Sequence, residues 1–444
     1  MSLLSRLIAL ALLAGALTCV QAADASPDEI RPSFRITHYD ARIEPDLSDR
    51  TITGVVVIHF VMTERDQRTI ALDSGDLTID AVKEDGARLD FAVREHRLTI
   101  RWPTPVTMNR RRQVEIAYHG KPRFGMQFVP ERKQVYTVFS TSQWLVCLDA
   151  PNERASMDLS VVLPADLVVV ASGKEVRRRR LPNGSVLHEW RQERPMPSYT
   201  FGFAAGLHTD VTERRAGHFL RYLGSGFSAV ELRRIFADTA DMVRFFQDRA
   251  GVPYGEPVYS QALVPRTVGQ EMSGFSVLSE EYGRAVLADA HAESLIAHEL
   301  AHQWWGNQVT CAAWTEMWLN EGFATFMAAA YMERRFGREE YLRMVDGWRS
   351  RYESVRSAGR DRSLVFADWT YPTPDDRTLV YQKGAYALHL LRETLGDQVF
   401  WAGLRDYTRA HSGRSVTSIQ FQRAMERSSR KDLSTFFKTW IYPD

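Results

Sequence analysis

His298-Glu299-Leu300-Ala301-His302-Gln303-Trp304-Trp305-Gly306-Asn307 decides how the rest of this chain is read. At about 100° per residue, helical positions four apart return to nearly one face, so His298 and His302 can aim both imidazoles at a single ion. Glu299 lies one step round the helix, beside such an ion and not on it. That placing suits a general base acting on water activated by the metal. Two histidines on one helix can also be satisfied inside the protein, so a third ligand is needed before the pattern becomes a metal site.

The metzincin pattern needs Gly three residues and His six residues after the second His. Trp305 and Gln308 stand there, which excludes it. The acids downstream are Glu316 and Glu321, the latter within Trp318-Leu319-Asn320-Glu321-Gly322-Phe323-Ala324. This second helical segment can return antiparallel to the first. A carboxylate from it gives a His-His-Glu set with one open position, the arrangement of catalytic and not structural zinc. On this ground alone both glutamates remain candidates.

Around this centre the chain divides into two textures. From Arg35 to about Gly206 it reads as strands and turns. Gly54–Phe60, Leu77–Asp80 and Met157–Leu163 are rich in β-branched residues, and Asp85-Gly86 and Pro182-Asn183-Gly184 are turn signals. Arg177 to Arg180 read as a solvated hairpin edge. After Arg214 the texture is helical, with apolar residues at helical spacing over Val230–Arg249, Ser294–Trp305, Gly322–Phe336 and Gly384–Leu395. The expected fold is multidomain α+β, with an N-terminal antiparallel β domain over 30–207 and a mainly helical domain over 208–444. No Gly/Ser linker separates them, so the two halves are expected to pack together.

The 444 residues carry 56 Lys plus Arg against 55 Asp plus Glu, with 44% hydrophobic and 25% charged residues. Length and composition fit two or three folded domains and exclude disorder, collagen and coiled coil. The near-neutral balance supplies no field for nucleic acid or an anionic membrane. Met1 to Ala22 carry one charge, Arg6, then an apolar run from Leu7 to Val20 and small residues near Ala22. The run is too short to span a bilayer, so residues 1–22 are read as a cleaved signal peptide. The protein is thus expected to be exported, periplasmic or secreted, with no stable membrane span. Cys147 and Cys311 are read as two buried thiols, and Trp304, Trp305, Trp314 and Trp318 as core around the metal helices.

The motif and the Trp318–Ala324 segment together resemble the signature of aminopeptidase N-type zinc aminopeptidases, gluzincins that include the leukotriene A hydrolase relatives. Eighteen residues separate His302 from Glu321, the spacing of that family. Cys147-Leu148-Asp149-Ala150-Pro151 is similar to its Pro-Cys-Phe-Asp-Glu-Pro loop, and Pro197–Phe203 to the segment closing its saddle-shaped β domain. The resemblance implies a thermolysin-like catalytic domain and one Zn²⁺ held by His298, His302 and Glu321, which selects Glu321 over Glu316. Tyr381, in Tyr381-Gln382-Lys383-Gly384-Ala385, matches the catalytic tyrosine and would donate to the oxyanion. The family's Gly-Ala-Met-Glu-Asn motif is altered here to Val268-Gly269-Gln270-Glu271-Met272-Ser273-Gly274-Phe275, in which the acid survives as Glu271 and Met272 stands at the Asn position. Glu271 would hold the substrate's α-amine, and the strand at Gly269 its backbone. Gln143 is a second candidate amine contact.

The implied function is zinc-dependent removal of N-terminal residues from peptides with a free N-terminus, with Glu299 as base. The changed residues around Glu271 keep a zinc endopeptidase or non-peptide hydrolase open as an alternative; a non-catalytic zinc peptide-binding module is a second, against which intact Glu299 and Tyr381 argue. Larger relatives carry a further β module and a helical C-terminal domain without counterpart here, from which a more open cleft, or one covered by a partner, is expected. The sequence leaves the oligomeric state and the preferred residue open.

Overall fold

In Thr51–Met62 every second side chain is apolar, and burial follows the same period of two, with Ile52, Val56, Ile58, Phe60 and Met62 inside. The preceding strand Phe34–Asp46 alternates in the same way and pairs with it as a long hairpin. The structure, a computed structural model, describes residues 33–266, 269–366 and 372–442. The signal-peptide reading, and Val268 of the altered motif, lie outside them.

That hairpin is the middle of an eight-stranded sheet. Its order is Lys174–Arg180, Val186–Pro197, Arg154–Leu163, Phe34–Asp46, Thr51–Met62, Arg111–Gly120, Thr78–Glu84 and Ala87–Arg88. One of its pairings is parallel, between Phe34–Asp46 and Arg154–Leu163, which departs from an all-antiparallel expectation. Parallel neighbours need a long crossover, and the intervening strands supply one. Lys174–Arg180 is an edge, and its exposed arginines pair with Glu175 and Glu189. A four-stranded sheet, Val168–Ala171, Phe203–Gly206, Gln134–Thr137 and Met126–Val129, faces the second half of the chain.

The second half is not purely helical. Thr209–Arg215, His218–Gly224, Val258–Val264, Phe275–Ser279 and Gly269–Met272 form a mixed five-stranded sheet, in that order. Its inner strands are buried on both faces, so they lack the alternation that would have revealed them. Val230–Arg249, read as one helix, is two, Ala229–Ile235 and Thr239–Ala250, the first held by a Ser228–Glu231 capping box. Gly384–Leu395 is helical as read. Arg338–Ser357, Asp397–His411 and Ser418–Ser429 are further helices.

The described residues pack into two apolar cores. One gathers side chains from Phe34 to Ala205 and takes in Ala262, Met272 and Phe275 from the mixed sheet. The other runs from Val211 to Ile441 and holds Trp304, Trp305 and Trp318 almost fully buried. Trp314 is only half-buried, edge-on to Tyr199 at 5.3 Å, so it is not core. The described residues form one compact unit despite the two cores. Cys147 and Cys311 are both buried. Among the described residues no helix is long and apolar enough to cross a membrane.

Candidate active site

The motif helix, Ser294–Ala301, ends sooner than its periodicity suggests, and His302 occupies its C-cap with helical dihedrals. Both imidazoles still project from one side. The returning helix, Trp318–Phe336, starts four residues before the apolar pattern at Gly322 and so carries Glu321 in its first turn. Glu321 Oε2 stands 3.2 Å from His298 Nε2 and 3.3 Å from His302 Nε2, and the two Nε2 atoms are 3.0 Å apart. Glu316, the other candidate, points elsewhere and accepts from the Ser418 backbone N–H at 3.1 Å.

His302 Nδ1 lies 3.0 Å from the Trp305 carbonyl and His298 Nδ1 3.5 Å from Thr325 Oγ1. These outward contacts leave both Nε2 atoms facing the centre, as ligand histidines require. His302 has three buried carboxylates about it, Glu271, Glu299 and Glu321. Burial alone would lower its pKa, but those charges push it up to about 10. Burial would likewise raise the Glu321 carboxyl, yet His302 and His298 hold it well below the usual range. Three buried carboxylates around these two imidazoles call for a compensating cation, and the donor set His-His-Glu is that of a catalytic zinc site. The residues present fit zinc.

Glu299 is buried, and burial first and its carboxylate neighbours next push its pKa well up. Its Oε2 is enclosed without a hydrogen-bond partner among the described residues. A buried acceptor left unpaired is costly, which marks it as an atom kept for a water or substrate proton. Oε1 packs against Gly269, where an added Cβ would come within 2.3 Å of it. Gly269 thus lets the Glu299 carboxylate lie close against the strand.

Glu271 lies in that strand, Gly269–Met272, opposite Ser276 of Phe275–Ser279. Burial raises its carboxyl to about 7, with His302 opposing. The hairpin is clamped to the metal helix by Gln303, whose Nε2 donates to the Met272 carbonyl at 3.0 Å and whose Oε1 accepts from the Gly274 N–H at 3.1 Å. The sequence alone gives Gln303 no role, and its place just after His302 is the signal available there.

Tyr381 sits in a π-helical turn, Leu379–Lys383, just before Gly384–Leu395. Its ring stacks on His298 at 6.0 Å with an interplanar angle of 9°. Burial, then Glu321, Glu271 and Glu299, push its pKa well above 10, so the phenol keeps its proton and can donate. Lys383, fully buried, fastens the turn by donating to Asp361 at 2.6 Å and to the Arg362 carbonyl at 2.8 Å.

Gln143 is not brought to this cluster by any hydrogen bond among the described residues. It closes the turn Thr141–Gln143 and packs where a Cβ on Gly75 or Gly125 would collide with it. The neighbouring loop instead reaches the site strand through the Phe139 N–H, which donates to Gln270 Oε1.

Comparison with known proteins agrees with this geometry. The Peptidase family M1 domain model matches residues 236–440, and the Peptidase M1 N-terminal domain model matches 36–200. Aminopeptidase N of Lactococcus lactis is 27% identical over 444 residues, covering 92% of this chain. The chain spans about half the length of that relative, 51%. Leucine aminopeptidase 2 of Aspergillus oryzae is 28% identical over 432 residues, covering 89% of this chain and 68% of its own. The solved M1 zinc metallopeptidase of Deinococcus radiodurans superposes with a TM-score of 0.78 at 25% identity, over 93% of this chain and 95% of that one. Yeast LTA4 hydrolase shares the fold, with a TM-score of 0.80 at 20% identity over 92% of this chain and 68% of its own.

Proposed function

Because this chain belongs to peptidase family M1, we propose that it is a zinc-dependent aminopeptidase that removes N-terminal residues from peptides. The observation that carries the reading is the convergence of His298, His302 and Glu321 beside an unpartnered Glu299 Oε2 and a protonated Tyr381.

His298 Nε2, His302 Nε2 and a Glu321 oxygen would hold the ion. When bound, zinc polarises the carbonyl of the first peptide bond and makes water a better acid. Glu299 accepts the attacking water's proton at Oε2 and delivers it to the departing amine nitrogen. Tyr381 donates a hydrogen bond to the carbonyl oxygen as negative charge grows there. Glu271 accepts from the substrate's ammonium group, a charge-assisted contact that an acylated N-terminus cannot make. The edge of Gly269–Met272 offers backbone groups to the peptide. Gln143 is kept as an amine contact only by resemblance.

A panel of aminoacyl-amide reporters and peptides tests this. Free N-termini should be cleaved, N-acetylated ones rejected, and a chelator should abolish both binding of zinc and turnover. Cleavage of acetylated peptides at internal bonds would establish an endopeptidase instead. We also propose export, on the apolar segment Leu7–Val20 after Arg6; recovery of the uncleaved chain in the cytosol would contradict it.

A further inference from the structure

Gly269–Met272 is the outer strand of its sheet and pairs only with Phe275–Ser279 among the described residues. Its other edge carries no strand among the described residues, which leaves room in the pairing for an extended peptide. Along it the groups stand in a fixed order. Glu271 comes at the amine end, then Gly269 with Glu299 packed against it, then Arg266 three residues upstream and within about 11 Å of Gly269. If the N-terminus is held at Glu271 and the first peptide bond meets Glu299, the peptide runs antiparallel to the strand, toward Arg266. At about 3.3 Å per residue its third and fourth residues arrive there.

At that end the surface sinks into a recess of about 530 Å³ lined by Arg50, Lys121, Arg123 and Arg266, over the apolar Met126 and Phe128, with no acidic side chain in its wall. Arg266 pairs with Glu131 at 2.9 Å and Arg123 has a long 3.7 Å contact to Asp76 at the rim. Arg50 and Lys121 make no ion pair among the described residues. The hairpin that supplies Met126–Val129 is tied to this stretch of chain, since Tyr136 donates to the Pro265 carbonyl beside Arg266, and the Phe139 N–H just beyond the hairpin donates to Gln270 of the strand. The recess and the strand are therefore held in register.

We propose that this recess is a carboxylate subsite for the third or fourth residue of the substrate. It takes the C-terminal carboxylate of a tri- or tetrapeptide, or an acidic side chain at that distance in a longer one. The chemistry recognised is the same in both. The inference rests on the aminopeptidase reading above.

Four tetrapeptides of one neutral N-terminal sequence test it with the zinc-loaded enzyme: a free acid and its C-terminal amide, and amides with Asp or Asn at position four. The wild type should prefer the free acid, or the Asp amide, by about threefold to tenfold in kcat/KM, carried by KM and weakened by salt. The acid–amide pair identifies the C-terminus as the source, and the Asp–Asn pair the side chain. A Lys121→Glu/Arg123→Glu variant should erase or invert the preference; Arg123 is 82% exposed, so its replacement does not threaten the fold. Arg50→Glu is the second variant with the same expectation. Equal kcat/KM for both pairs, or a preference the variants leave unchanged, overturns the subsite while the aminopeptidase stands. A wild type that cleaves none of the four overturns both.

Discussion

Gly322 and Gly384 cross backbone to backbone: a Cβ added to Gly322 would lie 3.1 Å from the Gly384 Cα, and one added to Gly384 would lie 3.2 Å from the Gly322 Cα. Glu321 immediately precedes the first and Tyr381 comes three residues before the second. The contact therefore sets how near the phenol stands to the metal ligand. Gly384→Val should push the helices apart at a cost of about 1–3 kcal/mol and lower kcat by about tenfold to a hundredfold. Zinc content measured by atomic absorption should stay at one per chain. A variant with full kcat would show that the crossing does not place Tyr381.

Tyr381→Phe keeps the ring on His298 and removes only the donor. Turnover should fall by about 2–4 kcal/mol of transition-state stabilisation with zinc binding unchanged. Glu299→Gln removes the proton acceptor and should lower kcat by about 10²–10⁴. Normal peptidase activity in a zinc-loaded Glu299→Gln enzyme would exclude Glu299 as the base.

Lys383 holds the turn that carries Tyr381 through a buried contact with Asp361. Lys383→Met leaves the Asp361 carboxylate without its cation, which should cost about 3 kcal/mol in chemical denaturation. Asp361→Asn in the same background should recover part of that loss. No recovery would mean that the pair contributes little.

Glu293 stands just before the motif helix, 3% exposed, where burial first and Asp238 next push its carboxyl up to about 8. The folded chain then holds a proton that the unfolded chain releases near pH 4–5. Folded binds more protons than unfolded between those values, so stability falls as pH rises through this window and levels off above it. Glu293→Gln should therefore gain on the order of 1–2 kcal/mol at pH 9 and nothing at pH 4. Parallel melting curves for variant and wild type across that range would remove Glu293 as the cause.

Chelation should lower the melting temperature as well as the activity, because zinc binds only the folded site. At a hundredfold excess over Kd the ion adds about 2.7 kcal/mol. A melting curve indifferent to zinc would mean that the three ligands do not bind it in solution.

The candidate metal site was legible because its residues come together by local rules. Helical spacing of four gives His298 and His302, and a carboxylate on a returning helix completes them. Choosing Glu321 over Glu316 needed the family resemblance, since nothing local shows that Glu316 turns toward Ser418. The mixed sheet was missed because strands such as Val258–Val264 are apolar on both faces and carry no period of two. The early start at Trp318 and the π turn at Tyr381 escaped for a related reason. Both are set by packing against other helices, which the chain's own periodicity does not record. Trp314 was misjudged because large aromatics are core by default, whereas here the ring borders the half-exposed join near Tyr199.

The two bonds of Gln303 make Glu271 and Glu299, the amine anchor and general base of the proposed function, parts of one rigid piece. The distance from a substrate's ammonium to its first carbonyl is fixed by covalent geometry. An enzyme whose anchor and base cannot drift apart acts as a gauge of that single length. On that reading the choice of bond would need no closing motion: a peptide held one residue too far along would present no carbonyl to Glu299.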